Sequence, residues 1–201
     1  MTDFVRDYLG ESIELLRRID GAEIDRLILG LSGVRDRGGR LFVLGVGGSA
    51  AHATHTVNDL RKLCHIEAYA PTDNVCELTA RVNDEGWDSC FEKWLEGSRI
   101  GPADGVLVLS VGGGSPEHGV SMNLVRALGL AARVGAAVFG IVGKDGGATR
   151  QHAAACVIVP PLYPERITPH TEGLCSVLLH LVVSHPALKR AQSKWESTSP
   201  R

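Results

Sequence analysis

The sequence predicts an α/β fold of three layers, a parallel sheet held between helices. Three observations predict it. Short apolar runs recur at Leu41–Val46, Val106–Val111, Ala137–Val142 and Cys156–Val159, with a weaker one at Ile66–Tyr69. They do not alternate with polar residues, so each reads as a strand buried on both faces, the condition of a parallel sheet. Segments of helical periodicity lie between the runs, and strand alternating with helix is the pattern of a sheet covered on both sides. Finally, two of the runs end in glycine clusters, where such sheets turn from strand into helix.

The elements follow in order. Phe4, Val5, Tyr8, Leu9, Ile13, Leu16 and Ile19 recur at helical spacing with charges between them. Gly21 interrupts, Ile24, Leu27, Ile28 and Leu31 resume the pattern, and the Gly38-Gly39 pair ends it. Such a pair covers a partner subunit or one face of a sheet; its sequence leaves both open. After the strand at Leu41–Val46 come a helix over about Ala50–Cys64, the short strand Ile66–Tyr69, and helices at about Val75–Arg81 and Trp87–Gly97. A helix over Glu117–Val134 separates the next two strands, and a helix over Thr171–Val183 follows the last. Lys144-Asp145-Gly146-Gly147 reads as a turn. The 201 residues suit one domain: a helical pair (1–38), an α/β core (39–188) and a polar tail (189–201) expected to fray.

Composition excludes several classes of function. With 21 basic and 23 acidic residues the formal charge is −2, which argues against a broadly basic nucleic-acid surface while allowing a local patch. An apolar fraction of 44% argues against disorder. The five cysteines are scattered and never form a CxxC pair, so a reducing, cytoplasmic setting is expected. The start is broken by Asp3, Arg6, Asp7, Glu11 and Glu14, unlike an export signal, and the apolar stretch Leu174–Val183 is about half a membrane span and contains His180.

The 24 glycines are informative by position. Gly45-Val46-Gly47-Gly48-Ser49 follows the first strand, and Ser110-Val111-Gly112-Gly113-Gly114-Ser115 follows Val106–Leu109. Glycine lets backbone approach a ligand, and the helix that follows offers free N–H groups and a partial positive charge to an anion such as phosphate. Ser49 and Ser115 stand where a hydroxyl adds a donor. No GKS or GKT occurs, so neither loop is a nucleotide-binding P-loop, and GxGGS is not GxGxxG.

The segments GVGGSAAHATHTVNDL (45–60), TARVNDEGW (79–87), LSVGGGS (109–115), GIVGKDGG (140–147) and HTEGLCSVLLHL (170–181) resemble the sugar isomerase (SIS) superfamily. In order and spacing they are most similar to phosphoheptose isomerases, which convert sedoheptulose 7-phosphate into D-glycero-D-manno-heptose 7-phosphate. The resemblance implies a flavodoxin-like five-stranded parallel sheet and a homotetramer with active sites between subunits. It implies phosphate binding at Gly47, Gly48, Ser49, Ser110, Gly112, Gly113 and Ser115, and sugar contacts at Asp73, Asn83 and Asp84, which read equally as a capping and turn cluster. The family's GNGGS loop carries Val46 here, and in its STSGNS loop Val111, Gly112 and Gly114 replace Thr, Ser and Asn. Its catalytic glutamate falls at Asp59 and its glutamine at Glu172, while His55 and His180 match. The resemblance thus assigns Asp59 as base and His180 as acid, and His55, Asp59, Glu172 and His180 as ligands of a zinc ion.

Spacing adds detail. His55 and Asp59 are i and i+4, neighbours on one helix face. Glu172 and His180 are eight residues apart, about 12 Å along a straight helix, so they meet one centre only if their side chains converge. Two histidines and two carboxylates suit zinc. A ketose–aldose isomerase shifts one proton between adjacent carbons and one between their oxygens through an enediol, work for a carboxylate and a histidine. If Asp59 ligates metal tightly it is a poorer base, and the two roles compete. His52 and His118 follow the loops closely and offer polar groups in place of those lost; Lys144, Arg166 and His170 lie in late segments that could face a ligand. Cys175 sits in an apolar helix and reads as packing. The alternative function is a non-catalytic SIS protein that binds a sugar phosphate as a regulator, or a scaffold for a DNA-replication initiator.

Overall fold

The computed structural model describes residues 2–198, apart from the side chains of Trp195 and Glu196, so Met1 and the last three residues of the expected tail lie outside the described residues. Five strands form one sheet: β1 (Leu41–Leu44), β2 (Ala68–Tyr69), β3 (Gly105–Ser110), β4 (Ala137–Val142) and β5 (Ala155–Ile158). All neighbours are parallel and the order is β2-β1-β3-β4-β5. From β1 the chain steps outward to β2, then returns across β1 to β3. The reversal opens a crevice at the carboxyl ends of β1 and β3, where open α/β sheets bind ligands. Both glycine loops leave the sheet there.

Each strand divides its apolar residues between two layers. Leu41 and Val43 join Leu107, Leu109, Phe139 and Ile141 on one face; Phe42 and Leu44 join Val106, Val108 and Val138 on the other. The first face is covered by α2 (Gly21–Asp36), α3 (Gly48–Cys64) and α8 (Ile167–Ser184), through Leu27, Ile28, Leu31, Val57, Leu60, Leu174 and Leu178. The second is covered by α5 (Cys90–Gly97) and α6 (Met122–Val134), through Phe91, Leu95, Leu124 and Leu128. A side chain of this size, fully buried, contributes about 1.5–3 kcal/mol.

The opening pair divides its labour. α2 covers the sheet, while α1 (Asp3–Arg18) lies outside it and buries only Glu11 and Leu15. On its outer side Val5, Leu9, Ile13 and Leu16 recur at i, i+4, i+8 and i+11 and stay exposed. The helices α4 (Val75–Glu85), α7 (Gly147–His152) and α9 (Lys194–Thr198) complete the set.

Three expectations are corrected. The helix expected from Glu117 begins at Met122, because Pro116 and Gly119 (φ 62°) fold residues 115–120 into a narrow loop closed by a Ser115–Val120 bridge. The turn at Lys144–Asp145 is present and runs through Gly146 into α7, while the last long helix starts at Ile167, a turn early. Nor is the chain loose directly after Leu188: the amides of Arg190 and Ala191 donate to the carbonyl of Leu63, one of the unpaired carbonyls at the end of α3.

Candidate active site

The two glycine loops meet at the crevice and line a cavity of about 910 Å³. The first loop turns on Gly47, at φ 62°, which starts α3 without any side-chain cap, leaving its first N–H groups available. Ser49 on α3 and Ser110, Gly112 and Ser115 of the second loop line the cavity. The Ser110 hydroxyl accepts from the Gly113 amide at 3.0 Å.

The glycines of the second loop have a packing reason. Loop 112–114 lies backbone to backbone on Gly146–Gly147, at the start of α7. The Gly113 carbonyl accepts from the Thr149 amide at 3.0 Å and the Thr149 hydroxyl at 2.8 Å, and the Gly114 carbonyl accepts from the Ala148 amide at 2.8 Å. A Cβ on Gly113 (φ 71°) would overlap the Gly146 carbonyl oxygen and lie 2.6 Å from its carbon. Side-chain hydroxyls in this loop have given way to close backbone contact.

Beyond the cavity, α3 and α8 run side by side in the same direction. At their start Glu172 packs against Gly48, its carboxyl carbon 2.7 Å from where a Cβ would sit. Further along, His55, Asp59 and His180 converge. Asp59 Oδ2 lies 3.2 Å from His55 Nε2 and 3.8 Å from His180 Nδ1, and the two rings meet edge to face with centroids 5.0 Å apart. The carboxylate is largely covered, at 14% exposure, while both imidazoles are 55% exposed. One ligand atom from each residue falls within 4.8 Å of the others, the only such cluster among the described residues. Two imidazoles and one carboxylate are ligand types that a divalent metal ion accepts, so the cluster is a candidate metal site.

Glu172 is not part of this cluster, as its distance along α8 from His180 dictates. It lines the cavity instead. Asp73 accepts from the Thr54 hydroxyl at 2.5 Å and lines a smaller cavity with Tyr69, Glu77 and Trp94. Asn83 donates to Asp84 at 2.7 Å on the exposed last turn of α4. Neither Asp73 nor this pair reaches the main cavity within one chain. Lys144 and His118 do line it. So does Gln151 of α7, a six-residue helix too short to show a periodicity in the sequence. Arg166 and His170 turn away from it to hold α1. Arg166 donates to both oxygens of Glu11 at 2.8 and 2.6 Å, and His170, 3% exposed, lies 2.7 Å from Glu11 Oε2 and stacks on Tyr8. These bonds, Arg166 first, hold the Glu11 carboxyl at about 2, well below its ordinary value. Burial pushes the Cys175 thiol up to about 12, so it packs rather than reacts.

A phosphoheptose isomerase of Syntrophotalea carbinolica is 31% identical over 185 residues, covering 88% of this chain and 89% of its own length. The chain belongs to the phosphoheptose isomerase family. These are aldose–ketose isomerases. Another member, from a Roseiflexus species, is 30% identical over 193 residues, covering 92% of this chain and 89% of its own. The solved phosphoheptose isomerase GmhA of Neisseria gonorrhoeae shares the fold, with a TM-score of 0.77 at 23% identity over 90% of this chain and 96% of that one. No family model matches the chain. No helix among the described residues is long and apolar enough to cross a membrane.

Proposed function

We propose that the chain converts sedoheptulose 7-phosphate into D-glycero-D-manno-heptose 7-phosphate, with its phosphate in the glycine-loop cavity and its reacting carbons at His55, Asp59 and His180. The carrying observation is the spacing of the two centres on shared helices. From Gly48 to His55 is about 10 Å along α3, and from Glu172 to His180 about 12 Å along α8. A seven-carbon chain with six carbon–carbon bonds of about 1.5 Å in a zigzag, plus its phosphoester, spans about 10 Å. A phosphate held at one end thus delivers the first two carbons to the other.

In the reaction Asp59 takes a proton from C1 of the ketose while His180 gives one to the C2 oxygen, which yields the enediol. The O1 proton then passes to His180 as Asp59 returns its proton to C2, and both residues end as they began. His55, 3.2 Å from the shared Asp59 oxygen, orients the carboxylate. The cluster would hold zinc through His55 Nε2, Asp59 Oδ2 and His180 Nδ1, and zinc bound there supplies a Lewis acid for the sugar's oxygens. The outward apolar stripe of α1, the exposure of both imidazoles and the position of Asp73, Asn83 and Asp84 outside the cavity support a homo-oligomer with sites completed between subunits, the tetramer that the family resemblance implies.

The test incubates purified protein with sedoheptulose 7-phosphate, before and after chelation and zinc addition, and follows aldose formation. Turnover that needs zinc supports both parts, and turnover of the metal-free protein removes the zinc. No turnover in either state sinks the isomerase reading.

A further inference from the structure

We propose that His118 is a phosphate ligand of this site, acting together with Lys144; the inference rests on the phosphosugar reading above. The cavity's lining poses an electrostatic problem. It includes three carboxylates, Glu117, Asp145 and Glu172, and the only basic side chains in it are Lys144 and His118. The glycine-rich loop adds few side-chain donors of its own, chiefly Ser110. An anion bound here therefore draws on backbone N–H groups and on these two residues.

The loop 115–120 arms the imidazole for this work. The Ser115–Val120 bridge narrows it, with backbone bonds of 2.9 and 3.0 Å between the two residues. Within it the His118 amide points to Ser115 Oγ at 3.4 Å, and His118 Nδ1 lies 2.9 Å from the same oxygen. An oxygen that accepts from the amide is free to donate its own hydrogen to Nδ1. That arrangement leaves the hydrogen of a neutral imidazole on Nε2, pointing away from Ser115 as a donor. Lys144 comes from the segment between β4 and α7. It is one of four non-glycine residues with positive φ, at 50°, a conformation that costs free energy and commonly marks a functional position. Its side chain reaches to within 3.9 Å of the Cβ position of Gly112, and no hydrogen bond or ion pair engages its ammonium among the described residues. Donor and cation thus both stand at the second loop, His118 beside Ser115 and Lys144 beside Gly112.

The experiment uses the full-length protein and two probes, inorganic phosphate and sedoheptulose 7-phosphate. Losing a hydrogen bond to a charged partner costs about tenfold or more in affinity. His118→Phe is expected to weaken phosphate binding by that factor in calorimetry, and to raise KM for the sugar phosphate more than it lowers kcat. His118→Gln, which restores a donor at similar reach, is expected to recover most of the loss. In the wild type, phosphate but not unphosphorylated sedoheptulose is expected to move the ring ¹⁵N signals of His118. A His118→Phe variant that folds, by its unmoved melting temperature, and binds phosphate like the wild type overturns the assignment. Turnover with an unchanged KM overturns it while leaving the isomerase reading intact. Phosphate binding that depends on His118, without turnover of sedoheptulose 7-phosphate, leaves the assignment standing and removes the isomerase reading.

Discussion

Placing a methyl group on Gly113 tests the packing of the second glycine loop. The residue has φ 71°, a conformation that costs an L-residue roughly 1–2 kcal/mol. Its Cβ would also overlap the Gly146 carbonyl, so the loop must lift from the start of α7. Lifting it strains the two hydrogen bonds from Thr149 to the Gly113 carbonyl, each of which contributes about 1 kcal/mol. Together these effects amount to about 3 kcal/mol. For a chain of this length that lowers the melting temperature by about 6–12 °C. Gly112→Ala in the same loop is the control. Its nearest neighbour would be the flexible Lys144 Cδ at 3.9 Å, and its φ is not positive, so its effect should stay within about 0.5 kcal/mol. Both variants are measured side by side by circular dichroism. Equal melting temperatures for the two would refute the reasoning, since it predicts a gap between neighbouring alanines.

Three further outcomes are expected. Asp59→Asn should lower turnover by about 10²–10⁴-fold while leaving the melting temperature near that of the wild type, read by coupled assay and thermal melt. Glu11, held below its ordinary 4.5 by Arg166 and His170, is a carboxylate whose folded value is the lower one, so its contribution is complete above pH 4.5 and fades as pH falls toward 2. Urea unfolding across that window should lose stability more steeply in the wild type than in Glu11→Gln; parallel curves would contradict the clamp. Ile13→Glu, in the middle of the outward stripe of α1, should shift the particle mass toward the monomer in light scattering, and an unchanged mass would place the subunit interface elsewhere.

Much of the fold was legible because a buried parallel strand has a plain signature. The four strong runs became β1, β3, β4 and β5 within two residues at either end, and the weak one became the two-residue edge strand β2. What failed was punctuation. Gly146-Gly147 stops one pattern and starts another, and only tertiary hydrogen bonds to Gly113 and Gly114 reveal that α7 follows. The site divides the same way. His55 and Asp59 share a helix face by arithmetic, and the meeting with His180 follows from two helices lying parallel. Glu172, a ligand by resemblance, stands apart because the pitch of α8 sets it about two turns from His180, against Gly48. The Glu11–Arg166–His170 clamp left no mark in the sequence, since it joins residues about 160 positions apart whose types occur on any helix surface.

The backbone-to-backbone seam between loop 112–114 and Gly146–Gly147 limits how this protein can change. A Cβ on Gly147 would overlap the carbonyl oxygens of both Gly112 and Gly114, just as one on Gly113 would strike Gly146. A side chain fits at Gly113 or at Gly147 only if the facing segment retreats at the same time, a change that single mutations do not make. Variation in what this cavity accepts is therefore channelled away from Gly113 and Gly147 and toward the outer loop 115–120, where Pro116 and Glu117 are exposed and can be exchanged one at a time.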